Sequence, residues 1–352
     1  MNTQAIFARA LLALLPALIP AIALAQVGRQ NCSAVTTKTC DIAHALGKGI
    51  NMGDMLDAPN EGDWGVVLYA EYIPLVSQKF KTIRLPVRWS NHAALTADAT
   101  LDETFAKRVD TIVDAFLAQG KYVILDVHHY HQLDGKALDA KEASVAPEVV
   151  AERFYNIWDQ LARRYANRSD QLIFEIYNEP FPKPEPWDQI AAKALTIIRK
   201  SNPERVVMLG PVGNYPTNLA RLVIPADKNL IVPFHSYVPF AFTHQGISYM
   251  PQFPKGVTCC STAQRKEVAD QFDLVAKWNL QRGYPVHVGE FGSVKVADTA
   301  SRVEYTRLVR QYTRQYGFGW TYWDFAHVFG VFDPKTKTWN EPLLDALMTS
   351  NP

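Results

Sequence analysis

The chain has 352 residues, 36 Lys and Arg against 35 Asp and Glu, a net charge of +1 and 48% hydrophobic residues. This near-neutral balance, without Lys/Arg runs, gives no footprint for nucleic acid, and no basic amphipathic helix marks a lipid surface. The length suits one large α/β core, and a neutral substrate fits the charge. The 11% aromatic content suits sugars, whose rings offer apolar C–H faces to flat side chains.

Residues 1–25 read as an export leader. Arg9 supplies the positive start, Ala10 to Ala23 the apolar core and Ala23-Leu24-Ala25 the cleavage pattern, leaving Gln26 as the mature N-terminus. Pro16 and Pro20 interrupt a segment already short for a membrane span of ~20 residues. The expectation is a secreted protein, periplasmic or extracellular, with no membrane contact after cleavage and acting as a monomer. Cys32, Cys40, Cys259 and Cys260 include no Cys-x-x-Cys spacing, so in an exported chain they suggest disulfides rather than metal.

Leu46 to Gly53 reads as a first strand running into a glycine turn, followed by a helix from about Ala70 to Lys79. Thr82 to Val87 is the second strand, and Arg84 within it requires a carboxylate partner, since an unpaired buried charge is prohibitive. Leu101 to Gln119 has helical spacing (Phe105, Val109, Ile112, Val113, Phe116) and ends at Gly120. Tyr122 to Val127 is strand three and ends in His128-His129-Tyr130-His131. Such a cluster can ligate zinc, but no strand-one partner or following Cys/Asp set is evident, which favours hydrogen bonding to a substrate or a glutamate.

Val149 to Tyr165 is a second long amphipathic helix. Gln171 to Pro180 holds a strand buried on both faces that delivers Asn178 and Glu179 to its end. Trp187 to Lys200 is helical, Arg205 to Leu209 is strand five, and Leu230 to Phe234 is strand six, ending in His235-Ser236-Tyr237. The long loop Val238 to Thr258 has the length of a functional loop. A helix from about Thr262 to Arg282, the strand Tyr284 to Val288 leading into Gly289-Glu290, a helix from Arg302 to Tyr316 and the strand Gly319 to Trp323 complete the chain.

Strands alternating with helices, with no repeat or linker, predict a single (β/α)8 TIM barrel over residues 26–352. In that architecture chemistry sits at the C-terminal ends of the strands, where Arg84, His128, Asn178, Glu179, His235, Tyr237, Glu290 and Trp323 all fall. Two carboxyl groups suffice to hydrolyse a glycosidic bond when one stays protonated and the other ionised. Arg84 and Tyr237 favour ionised Glu290, leaving Glu179 as the proton donor. Asn178 is placed to meet a sugar 2-hydroxyl and Trp323 to stack under the ring. No cofactor motif and no metal set is assigned.

At these residues the sequence resembles glycoside hydrolase family 5, the cellulase and mannanase family. The resemblance rests on Gly49-Ile50-Asn51-Met52-Gly53, Arg84-Leu85-Pro86-Val87, Asp126-Val127-His128, Ile176-Tyr177-Asn178-Glu179-Pro180, His235-Ser236-Tyr237, Gly289-Glu290-Phe291-Gly292 and Trp323. It implies Glu179 as acid/base and Glu290 as nucleophile, with Arg84, His128, His129, Asn178, His235, Tyr237, His244 and Trp323 binding substrate. Phe242-Thr243-His244-Gln245-Gly246 resembles the endoglucanase branch that acts on glucans and mannans, although Asp54 and Tyr249 stand where that branch tends to carry Asn and Trp. The implied substrate is an internal β-1,4-linkage of a glucan, with mannan or xyloglucan as alternatives. Trp64, Trp89, Trp187, Tyr249 and Trp339 are candidate floors for sugar subsites. A non-catalytic sugar-binding barrel is disfavoured because both carboxylates are present, and a metal-dependent hydrolase built on His128 would lose activity on chelation.

Barrel geometry also bears on the cysteines. Cys40 precedes strand one, at the opposite face from Cys259 and Cys260 after strand six, and a strand of ~5–6 residues separates the faces by more than a disulfide reaches. Cys32 is therefore expected to pair with Cys40, leaving Cys259 and Cys260 as a vicinal disulfide or free thiols.

Overall fold

The computed structural model describes residues 28–135, 140–181 and 184–349; the leader and its cleavage site lie outside them. In chain order the elements are α1 (Thr37–Ala45), β1 (Lys48–Asn51), α2 (Tyr72–Ser77), β2 (Thr82–Leu85), α3 (Glu103–Ala118), β3 (Tyr122–Asp126), α4 (Ala140–Ala143) and α5 (Val150–Arg164). There follow β4 (Leu172–Glu175), α6 (Pro184–Arg199), β5 (Val207–Met208), β6 (Leu230–His235), α7 (Phe240–Thr243) and α8 (Thr262–Arg282). The chain closes with β7 (Val286–Glu290), α9 (Thr299–Tyr316), β8 (Gly319–Tyr322), the hairpin β9 (Phe332–Asp333) and β10 (Thr338–Trp339), and α10 (Glu341–Met348). Strands β1 to β8 form a closed parallel barrel in sequence order, with β8 paired back onto β1, as expected of a (β/α)8 fold.

Period-2 alternation sorts the strand residues. Phe174 and Phe234 face outward, onto Trp158 and onto Phe272 and Phe318. Ile124, Ile173, Met208 and Ile231 face inward and meet Ile42, Ala43 and Leu46. Helix α1, which the strand–helix alternation did not predict, thus packs against the barrel interior. Thr36 starts it by accepting the Thr39 N–H. Outer helices bury stripes of the expected spacing, such as Ala106, Val109, Ile112, Val113 and Phe116 of α3. Truncating Phe116 there would cost about 3–5 kcal/mol.

The alternation breaks at one place. Between β5 and β6 there is no α-helix but two 3₁₀ turns, Val212–Asn214 and Pro216–Arg221. Gly210, Pro211, Gly213 and Pro216 make a longer helix unfavourable there. The long loop after β6 contains the short helix α7.

Cys32 and Cys40 are bonded to each other, as are Cys259 and Cys260. Peptide mapping of the oxidised protein should recover these two links and no cross-link between the early and late pairs. Closing so short a loop, Cys32–Cys40 should contribute about 2–3 kcal/mol, so Cys32→Ser should lower the urea midpoint measurably.

Candidate active site

Arg84 is fully buried and its guanidinium organises the top of the barrel. Nε and Nη2 donate to the Glu175 carboxylate at 2.7 and 3.0 Å, and Nη1 donates to Glu290 Oε1 at 2.8 Å. Nη2 also pairs with Asp126 Oδ2 at 2.9 Å, and the side-chain oxygens of Asn51 and Asn178 accept from Nη1 and Nη2 at 3.0 and 2.8 Å. Burial opposes its charge, but Glu175, Asp126 and Glu290 outweigh that and hold its pKa well above the ordinary value. The carboxylate partner required by the sequence is in fact three.

Glu290 reaches this position through a register shift. At the end of β6 and β7 His235 pairs with Glu290, following Phe234 with Val288, so Gly289 is skipped. A Cβ on Gly289 would lie 2.9 Å from His235 Nε2, so only glycine lets the imidazole pass this closely. Tyr237 Oη donates to Glu290 Oε2 at 2.8 Å. Both carboxylate oxygens of Glu290 are therefore held.

Glu179 follows β4 with φ +43°, a conformation in which a non-glycine side chain is strained and which is characteristic of functional sites. His235 Nδ1 lies 2.7 Å from Glu179 Oε1, and Asn214 Nδ2 lies 3.0 Å from His235 Nε2. Because the amide must donate to Nε2, His235 carries its proton on Nδ1 and donates it to Glu179. Burial holds the His235 pKa below the ordinary value, against the raising effect of Glu290.

One oxygen of Glu179 and one of Glu290 lie within 4.8 Å of each other and of a His235 nitrogen. Their environments differ. Burial raises Glu179 to about 7, with Arg84 the one cation opposing it. Burial also raises Glu290, but His235, Arg84 and the Tyr237 hydroxyl all pull it back. Arg84 and Tyr237 are the contacts read from the sequence; the pull of His235 and the upward push of burial are added by the fold.

His128 Nδ1 meets Asp126 Oδ2 at 2.9 Å, and burial keeps the ring neutral. Its ring lies parallel to that of Trp323, 5.9 Å between centroids. Gly53 sits against Trp323, where a Cβ would come within 2.6 Å of the indole, which explains the glycine at this turn. His129 packs edge-on to His128 at 4.3 Å, and Trp64 packs edge-on to His129 at 5.7 Å. His244 packs on Tyr237 at 4.9 Å and hydrogen-bonds Thr243 Oγ1 through Nδ1; burial lowers it to about 4. All ten candidate residues from the sequence thus form one contiguous cluster.

The subsite aromatics divide. Trp89 and Trp187 are buried and donate to the carbonyls of Asp126 and Gly210, while Trp339 packs on Phe80, Phe325 and Phe332. These three are core or packing residues, not subsite floors. Trp64 is half-buried beside His129, and Tyr249 keeps 69% of its surface exposed.

Glu175, Asn214 and His327, which pairs with Asp54 at 2.8 Å, are site residues that the sequence reading does not single out. Glu175 carried a signal, a second charged residue inside a buried strand. The contacts of Asn214 and His327 join residues far apart in the chain at neighbouring strand ends, β5 with β6 and β8 with β1, and leave no local pattern.

Residues 56–327 match the family model described as cellulase, glycosyl hydrolase family 5. The chain belongs to glycoside hydrolase family 5. Endoglucanase H of Acetivibrio thermocellus is 33% identical over 318 residues, covering 87% of this chain and 33% of that protein. Endoglucanase A of Clostridium longisporum is 29% identical over 342 residues, covering 85% and 63%. The family 5 chain therefore spans between one-third and just under two-thirds of the length of these curated relatives. The structure of Thermotoga maritima Cel5A with mannotriose is 35% identical with a TM-score of 0.82, covering 87% of this chain and 99% of that one, and the same values hold for its complex with cellobiose.

Proposed function

We propose that this family 5 chain is a secreted, retaining endo-β-1,4-glucanase in which Glu290 is the nucleophile and Glu179 the acid/base. The observation that carries the reading is the convergence of the two carboxyl groups, with one oxygen of each within 4.8 Å of the other. Retaining enzymes hold their carboxyl groups ~5–5.5 Å apart, whereas inverting ones leave room for an intervening water. In the first step Glu290 attacks the anomeric carbon while protonated Glu179 gives its proton to the leaving oxygen. In the second, ionised Glu179 takes a proton from water, which displaces Glu290. Arg84 and Tyr237 hold Glu290 in place for both steps, and the proton of His235 steadies Glu179 once it is ionised.

Internal β-1,4-glucan linkages are the proposed substrate, a reading supported by the endoglucanase relatives and the cellobiose complex. Mannan is the secondary substrate, favoured by the mannotriose complex of a similar structure. Secretion is supported by the leader pattern in residues 1–25 and by two disulfides. No helix among the described residues is long and apolar enough to cross a membrane.

The test is assay on cellulose, mixed-linkage glucan, xyloglucan and mannan, with proton NMR of the first product. The β-anomer should appear first from a β-glucan; initial α-anomer would overturn the retaining assignment, and release from chain ends alone would overturn the endo assignment. The first step needs protonated Glu179, so its rate should fall as pH rises through about 7. Glu179→Gln should remove that limb from the pH–rate profile; a limb that stays would assign it to another group.

A further inference from the structure

Asp57, in the loop after β1, is fully buried; the backbone N–H groups of Asp54 and Asp57 act on its carboxyl group, but neither oxygen has a hydrogen-bond partner of good geometry among the described residues. A carboxylate removed from water without a well-aligned donor is strongly unfavourable and calls for a partner. Two imidazoles from the end of β3 face it. One ligand-capable atom from each of Asp57, His128 and His129 lies within 4.8 Å of the other two, and His129 Nε2 stands 3.9 Å from Asp57 Oδ2. That is too long for a hydrogen bond. It is near the separation of ligand atoms that share one cation at ~2.0–2.2 Å each.

The surroundings suit such an ion. His128 Nδ1 donates to Asp126, itself paired with Arg84, which leaves the lone pair on Nε2. A carboxylate on one ring nitrogen with the other free is the arrangement that stands behind metal-bound histidines. Two imidazoles and one carboxylate select a borderline transition-metal ion over Mg²⁺ or Ca²⁺, which take oxygen ligands. Asp57 is also the strand-one partner that could not be picked out beside the His128 cluster in the sequence.

We propose that Asp57, His128 and His129 form a site for a divalent transition-metal ion of the Zn²⁺ class, and that the bound ion competes with sugar. The ion is an inhibitor rather than a cofactor: it occupies His128, whose ring lies parallel to Trp323 at the proposed stacking position. Only this inhibitory consequence rests on the glucanase reading; the binding stands apart from it.

The experiment uses the full chain, stripped with EDTA and titrated with ZnCl₂ by calorimetry, then with CoCl₂ followed by visible ligand-field absorption. One ion per chain is expected, with no binding of Ca²⁺ or Mg²⁺ and with displacement by cellobiose. Asp57→Asn and His129→Ala should each weaken binding at least about tenfold. Circular dichroism and thermal melting verify folding, and if Asp57→Asn does not fold, His129→Ala carries the test. Absence of binding overturns the site. So does binding that survives Asp57→Asn and is lost in Glu290→Gln, which would put the ion on Glu179, His235 and Glu290. A protein that binds Zn²⁺ but cleaves no glucan sinks the glucanase reading alone, and one that cleaves glucan but binds no ion sinks the site alone.

Discussion

Glu290→Ala is expected to lower turnover by roughly 10⁵-fold or more, the scale on which an enzyme loses its covalent nucleophile. The residue is 5% exposed and both its carboxylate oxygens are held, by Arg84 and by Tyr237, so truncation opens a small polar space at the reacting centre. Azide added to this variant should enter that space and attack the anomeric carbon, restoring turnover with a product of inverted configuration. The companion change, Glu179→Ala, should behave differently. Substrates with a good leaving group need little protonation, so the glycosyl-enzyme should still form and then accumulate for want of a base. Equal losses in both variants on every substrate, without azide rescue in either, would refute the division of roles.

Arg84→Met should be the most damaging single change to stability in the site. It leaves Asp126, Glu175 and Glu290 buried without the cation they share. Removing one partner of a buried ion pair typically costs about 3–5 kcal/mol, a large part of the ~5–15 kcal/mol that holds a domain together. Hydrolysis should fall by at least about 10²-fold in whatever fraction folds, because Glu290 loses a fixed donor. Arg84→Lys should recover little, since a single ammonium cannot reproduce the fork that reaches three carboxylates and two amide oxygens. Urea denaturation measures the first effect and kcat the second. A near-native midpoint for Arg84→Met would show that the carboxylates find other partners.

Much of this site was legible before any fold was known. Arg84, Glu179 and Glu290 stand out because charged residues at or near the ends of apolar strands are expensive unless used. The fold corrected the reading at residues whose meaning depends on distance. Trp89 and Trp187 look like sugar platforms in sequence, yet their indole N–H groups satisfy backbone carbonyls inside the protein. Asn214 looks like a loop residue, yet it fixes the tautomer of His235, 21 positions away.

The sequence by itself determined the alternation of buried strands and helices, the strand ends that carry the chemistry, and the family those motifs belong to. Each is a local property, written in periodicity, in Gly and Pro punctuation, and in short motifs. Only the tertiary structure decided how the charges act on one another. The spacing of Glu179 and Glu290, the three carboxylates on Arg84, the shift that turns Glu290 toward His235 and the meeting of Asp57 with His128 and His129 all depend on barrel closure. Electrostatic interaction falls with separation and rises with burial, and neither quantity is written in the order of residues along the chain.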